Sequence, residues 1–259
     1  MSMGRLKIVS YNVNGIRAAE NKGLSAWLKE NAADVVCIQE IKVDREAFNP
    51  KPFEDLGYHC YIFPAQKKGY SGVAVFTKVK PDNVVEGCGI KEYDDEGRAL
   101  RVDIGDLSIM SAYFPSGTTG EIRQAVKMKF LGDFFKYVKE LEKTRPKLII
   151  AGDYNICHKP IDIHDPIRNK DTSGFKPEER AWMEQYFESG FIDTFRHFNK
   201  EPHNYTWWSL RSGARGNNKG WRIDYISATK NLEKNLLEAG IMPDVKHSDH
   251  CPSYCIVAT

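Results

Sequence analysis

Four short apolar runs between Tyr58 and Tyr113 limit what this chain can fold into more than any other feature. Tyr58–Pro64, Val73–Lys78, Ala99–Ile104 and Leu107–Tyr113 have strand length, and Gly69, Pro81 and the Gly105–Asp106 pair separate them. That spacing predicts strands paired antiparallel. Further strands are predicted at Arg5–Tyr11, Asp34–Ile38, Leu148–Ala151, Arg222–Ala228 and Ser253–Val257. A helical period appears in fewer places. Val126, Phe130, Leu131, Phe134, Val138 and Leu141 share one face of a helix over Glu121–Lys143, which Pro146 closes. A second helix is predicted over Pro177–Ser189, with proline in its first turn and Glu178 and Glu179 where the helix dipole favours negative charge. Leu24, Trp27 and Leu28 have the spacing of a short third. Many short strands with few helices predict an α/β sandwich, two sheets face to face with helices outside. A doubly wound parallel sheet fits worse, because strict alternation is missing and there is no GxGxxG or GxxxxGK(S/T) phosphate loop.

Three of the predicted strands end in polar side chains. Arg5–Tyr11 runs into Asn12 and Asn14, Asp34–Ile38 into Gln39, Glu40 and Lys42, and Leu148–Ala151 into Gly152, Asp153, Asn155 and His158. A short continuous apolar run ended by glycine reads as a strand buried on both faces, and polar groups past its end sit where sheet meets solvent. Asp153 and Asn155, two apart on an extended chain, point the same way, so a carboxylate and a carboxamide converge to orient and deprotonate a water. Taken alone, Asp and Asn after glycine are ordinary turn residues. Three such ends in one chain predict a shared cleft across the sheet edge. The stretch Ser209–Arg222 carries Arg211, Arg215, Lys219 and Arg222 with no acidic residue, flanked by Trp207, Trp221 and Ile223. A solvated charge run is its plain reading. Its aromatic neighbours favour a phosphate-gripping loop beside a small apolar pocket.

The 259 residues, 41% of them hydrophobic, predict one domain spanning 1–259. Lys and Arg number 37 against 35 Asp and Glu, a formal charge of +2. No global field therefore advertises a polyanionic partner, and any basic surface is local. The six cysteines include no CxxC pair; their even count leaves disulfides open, but reduced packing residues are the better reading, and structural zinc is not expected. No apolar run is long enough to span a membrane and Met1–Tyr11 is too weak for a secretory signal, so a soluble cytoplasmic protein is expected, nucleoid-associated if bacterial.

Asn12, then Gln39, Glu40 and Lys42, then Gly152, Asp153 and Asn155, then Asp249 and His250 resemble the endonuclease/exonuclease/phosphatase superfamily that includes deoxyribonuclease I. Asp193–His197, Tyr205–Trp208 and Gly220–Tyr225 look like the exonuclease III branch of apurinic/apyrimidinic (AP) endonucleases. The resemblance spans essentially the whole chain in order. It implies a four-layer α/β sandwich of two facing mixed β-sheets flanked by helices. It also implies Mg²⁺-dependent cleavage, with Mn²⁺ as a substitute, of the phosphodiester 5′ to an abasic site in double-stranded DNA, leaving a 3′-hydroxyl, with 3′-phosphodiesterase and 3′-to-5′ exonuclease side reactions at 3′ ends. Carried over by position, Glu40 is the principal metal ligand, with Asn14 and Asp249 nearby. Asp153 activates the attacking water and Asn155 helps place it. His250, held by Asp224, contacts the attacked phosphate, and Asn12 and Tyr113 complete the polar wall. The resemblance puts Arg17, Lys42, Lys68 and Tyr70 on the DNA backbone, beside the loop and pocket residues Trp207, Arg211, Arg215, Trp221, Arg222 and Ile223. A monomer is implied.

Two departures stand out. Asn14 occupies a position where some family members carry Asp, which argues against a second tightly held metal. After Pro115 the loop Ser116–Gln124 offers Arg123 but no long basic insertion, which argues against a residue wedged into the duplex there. Three other readings remain: an enzyme that is mainly a 3′-to-5′ exonuclease, a phosphoesterase of the superfamily acting on inositol phosphates or lipids, and a non-enzymatic DNA-binding module. The Trp207 and Trp221 segments argue against the phosphoinositide reading, and the filled set of reactive positions argues against the binding module.

Overall fold

The computed structural model describes residues 4–259. Chain order runs β1 (Arg5–Asn12), α1 (Ile16–Glu20), α2 (Leu24–Asn31), β2 (Val35–Gln39), α3 (Lys51–Glu54), β3 (His59–Phe63), β4 (Val73–Thr77), β5 (Asn83–Glu86), α4 (Lys91–Asp94), β6 (Ala99–Ile104) and β7 (Leu107–Tyr113). It continues through α5 (Glu121–Thr144), β8 (Lys147–Asp153), α6 (Pro177–Glu188), β9 (Phe191–Asp193), α7 (Thr194–Phe198), the hairpin pair β10 (Trp207–Trp208) and β11 (Gly220–Trp221), then β12 (Asp224–Thr229), β13 (Leu236–Ile241) and β14 (Ser253–Ala258). One six-stranded sheet has the order β13, β14, β1, β2, β4, β3, and the other β5, β6, β7, β8, β12, β9. Both sheets are mixed. Each has one parallel pair, β1 with β2 and β7 with β8, and antiparallel neighbours elsewhere. A parallel pair needs a crossover, and α1 with α2 supplies the first, α5 the second.

The four runs between Tyr58 and Tyr113 do pair antiparallel, but they do not share a sheet. β3 and β4 belong to the first sheet, and β6 and β7 to the second. Periodicity marks which side chains of a strand are buried and is silent on which neighbour it joins. The short strands β5 and β9 and the half-exposed β13 lie on sheet edges, where the apolar signal is weakest.

Side-chain alternation along β8 explains the layering. Ile149 and Ala151 point between the sheets, where they meet Ile8, Val35, Ile109 and Ile226. Leu148 and Ile150 point outward to Phe130, Phe134, Met183 and Tyr186 of α5 and α6. Both faces are apolar, hence the unbroken run. On the opposite side Ile16, Leu24 and Leu28 cover Val9, Val36 and Ile38. The expected four layers are present. Gly152 is required where β8 passes β7, since a Cβ there would lie 1.9 Å from the Ala112 carbonyl oxygen. This close approach sets Asp153 level with Tyr113. All six cysteines are free thiols. No described helix is long and apolar enough to cross a membrane.

Candidate active site

Strand register brings the polar ends together. In the second sheet Tyr113, Asp153 and Asp224 form one row, Tyr113 beside Asp153 on β7 and Asp224 opposite it on β12. In the first sheet Asn12 pairs with Gln39, and Glu40 follows directly. Because the sheets face each other, the two rows meet. Asn12 Nδ2 donates to Glu40 Oε1 at 2.8 Å and to Asp153 Oδ2 at 2.8 Å, bridging the sheets. His250 arrives from the segment before β14 and places Nδ1 2.9 Å from Asp224 Oδ2 and Nε2 3.9 Å from Asp153 Oδ2.

The chain is not extended at these ends, contrary to the sequence reading. Asn14 and Asn155 have φ of 48° and 53°. Their backbone N–H groups donate to the side chains two residues earlier, Asn14 to Asn12 Oδ1 at 3.0 Å and Asn155 to Asp153 Oδ1 at 2.8 Å. Both are Asx turns, so the turn chemistry and the convergence occur in the same residues. Asn155 still reaches Asp153, with Nδ2 at 3.3 Å from Oδ2 and 3.0 Å from the Phe114 carbonyl.

The charges are strongly coupled. Asp153 is buried in the register slot facing Asp224, and burial, then the Asp224 charge, push its carboxyl well above the usual carboxylate range. Burial alone would lower His250, but the Asp224 carboxylate outweighs it and holds the imidazole protonated at neutral pH. Burial would raise Glu40, yet the Lys42 ammonium at 2.8 Å and the Asn12 amide hold it below its ordinary value. Asp249 behaves alike, lowered by the His250 cation and by the Trp207 indole N–H at 3.0 Å against the opposing effect of burial. Tyr113 is pushed up by burial and by Glu40, so its hydroxyl stays protonated.

Glu40, Asp153 and His250 offer ligand atoms that all lie within 4.8 Å of one another. Asn14 and Asp249 stand beside this group, not in it. Asn14 Nδ2 donates to Asp249 Oδ1 at 3.0 Å, and Lys42 Nζ ties Asn14 Oδ1 at 2.5 Å back to Glu40. A divalent cation fits the cluster chemically. One of its carboxyls, Asp153, is raised toward protonation by burial first and then by the Asp224 charge, and Asp224 Oδ1 beside it is buried without a partner. Hard oxygen donors facing each other across such a deficit suit a small hard ion.

A pocket of about 300 Å³ opens beside these groups, lined by Trp207, Trp221 and Ile223 on one side and by Ser116, Thr118 and Thr172–Gly174 on the other. The two indoles meet edge to face, 6.2 Å between centroids. Trp208 turns into the core instead. Arg17 and Lys42 line an open groove with Gly69, Lys68 is exposed, and Tyr70 holds its hydroxyl against Arg98 and Arg123. Arg211 is exposed.

Two residues of the basic loop are placed differently from the expectation. Arg222 is fully buried and bonded to Asp162 at 2.8 Å and Asp193 at 2.6 Å, so it cannot reach a phosphate; its charge serves the interior. Arg215 lies over the Trp208 ring and donates to the carbonyls of Pro243, Val245 and Ser248, bracing the segment that carries Asp249. Glu179 stands in the first turn of α6 as expected, where it accepts the Lys176 N–H, and it is also fully buried against Lys127. Sequence reasoning missed several supporting residues. Arg98 lies buried over the Tyr113 ring, 4.6 Å from its centroid, and Lys22 and Lys246 line a groove of about 360 Å³ beside Asp249. Lys127 stands three, four and seven positions before Phe130, Leu131 and Phe134, on the buried face of α5, and that spacing could have flagged it; Arg98, after an acidic run and Gly97, carried no such signal.

Residues 9–252 match the profile of the endonuclease/exonuclease/phosphatase family. The chain is 39% identical over 254 residues to an exodeoxyribonuclease of Bacillus subtilis, covering 97% of this chain and 99% of that one. It is 35% identical over 257 residues to a DNA-(apurinic or apyrimidinic site) endonuclease of Dictyostelium discoideum, covering 98% of this chain and 71% of that one. The solved structure of an AP endonuclease from Archaeoglobus fulgidus superposes with a TM-score of 0.91 at 30% identity, covering 98% of this chain and all of that one.

Proposed function

The chain belongs to the endonuclease/exonuclease/phosphatase family, and from that membership we infer that it is a metal-dependent DNA repair nuclease that incises duplex DNA 5′ to an abasic site and leaves a 3′-hydroxyl. The observation that carries this reading is the meeting of Glu40, Asp153 and the His250–Asp224 pair at the mouth of an aromatic pocket.

What a divalent cation supplies when bound, Mg²⁺ in this reading or Mn²⁺ in its place, is neutralisation of the charge that grows on the attacked phosphate; Glu40 is the residue to hold it, with Asn14 and Asp249 nearby. The chain's own groups do the rest. Asp153 Oδ2, with a proton affinity raised toward that of a general base, takes a proton from the attacking water. The amides of Asn12 and Asn155 donate to the same oxygen and fix its direction. The protonated His250 presents Nε2 to a non-bridging phosphate oxygen while Asp224 holds Nδ1–H and one ring orientation. Tyr113 adds a protonated hydroxyl. A sugar without a base is the cheapest nucleotide to extrude, and a pocket of about 300 Å³ between Trp207, Trp221 and Ile223 suits it. Arg17, Lys42, Lys68, Tyr70 and Arg211 grip the flanking backbone. Every group named in this reading comes from one chain, so the reading needs only a monomer.

The name of the Bacillus relative favours a second reading, in which digestion from 3′ ends dominates. A labelled duplex with one abasic analogue and a matched duplex with a recessed 3′ end decide between them. With Mg²⁺ the abasic strand is expected to be cut once, faster than the recessed end is shortened, and chelator abolishes both. Shortening without incision selects the exonuclease, and chelator-resistant cleavage rejects the metal.

A further inference from the structure

Lys127 and Glu179 are both fully buried, and their charged groups meet at 2.6 Å. Desolvation offsets most of the attraction in so deep a pair, and packed apolar side chains would stabilise the fold as well. Its other bonds set it apart. Lys127 Nζ donates to the Asn155 carbonyl at 2.8 Å, holding the turn that follows Asp153. Glu179 Oε2 accepts the Gly174 N–H at 2.7 Å and the Lys176 N–H at 3.0 Å. Gly174 in turn lies against an indole of the pocket, where a Cβ would come 3.1 Å from Trp221 Cζ3. One buried pair on α5 and α6 thus anchors both the turn at the catalytic carboxylate and the loop that faces the tryptophans.

We propose that Lys127 and Glu179 are positioning residues that fix the width of the slot between the 172–174 loop and Trp207 and Trp221, and so set the preference for a nucleotide without a base over one that carries it. The pair touches no substrate. It acts through backbone groups that line the pocket, and the proposal rests on the abasic-site reading above.

Neutralising both partners avoids stranding a buried charge, so two double variants carry the test. Lys127→Met/Glu179→Leu removes every tie that the pair makes to the loop and leaves the bonds from Cys157 N–H to the Gly174 carbonyl and from Ser173 to Gln124. Lys127→Met/Glu179→Gln keeps an acceptor for Gly174 but frees Asn155, and carries the test if the leucine variant does not fold. The ratio of kcat/KM for abasic incision to that for shortening a recessed 3′ end is expected to fall about tenfold in the first and about threefold in the second. Acrylamide quenching of tryptophan fluorescence should rise in both, because the slot opens. An unchanged ratio with unchanged quenching in folded variants overturns the proposal, as does an equal loss on both substrates. If the wild type fails to incise, the functional reading falls by itself. Quenching then decides the role of the pair: a rise supports it, and no change overturns it.

Discussion

Asp153 and Asp224 sit opposite each other in strand register, and a like charge in that position is tolerated only because His250 stands between them. Asp153→Asn removes one charge of the conflict. Turnover is expected to fall by at least about a hundredfold, while the thermal midpoint holds or rises. A near-normal rate would remove Asp153 from the chemistry. His250 gives a second prediction. Its cation is favoured by Asp224 against the opposing effect of burial, which lifts its pKa to about 10. The raised value means that the pair's contribution to stability is complete below the unfolded pKa of about 6.5 and is lost as pH rises through the folded one. In the metal-free protein the imidazole signals should therefore titrate far above neutrality by NMR, and in Asp224→Asn they should move down toward the ordinary range. A wild-type midpoint near neutrality would contradict the site's electrostatics.

At the scale of elements, the basic loop divides into surface and interior. Arg211 is exposed, whereas Arg222 is locked between Asp162 and Asp193 at the foot of β12. Arg222→Ala takes the guanidinium from the half-buried Asp193 and leaves the buried Asp162 with Arg196 alone, and is expected to cost about 3 kcal/mol in denaturant unfolding. Arg211→Ala should leave stability unchanged and lower the slope of log binding constant against log salt by about one. Reversed outcomes would exchange the two roles. The loop is a single run of charge in the sequence; only the partners of each guanidinium separate a grip on DNA from a structural bond.

Both sheets contribute to a single interlayer core, with Ile8, Val35 and Cys255 from one packed on Ile109, Ile149 and Ile226 from the other. Neither sheet is buried without its partner, so residues 1–259 are expected to unfold as one domain. Far-ultraviolet circular dichroism and tryptophan fluorescence should then report coincident transitions, and separated transitions would indicate two units. The site lies at the ends of both sheets and depends on the same packing. Loosening the core should therefore weaken catalysis before the reactive groups themselves are altered.

The sequence by itself determined the buried strands, the two longer helices outside them, and which polar residues end β1, β2 and β8, because alternation and punctuation are local properties of the chain; the edge strands β5, β9 and β13 lack that signal. It also carried the family's residues in order. What only the tertiary structure decided is the division of Tyr58–Tyr113 between two sheets, the row of Tyr113, Asp153 and Asp224, the withdrawal of Arg222 from the surface, the tying of Arg215 to backbone carbonyls, and the Lys127–Glu179 pair behind the pocket. Each of these depends on which distant segment becomes a neighbour. Register and burial are set by packing over the whole molecule, and no window along the chain contains them.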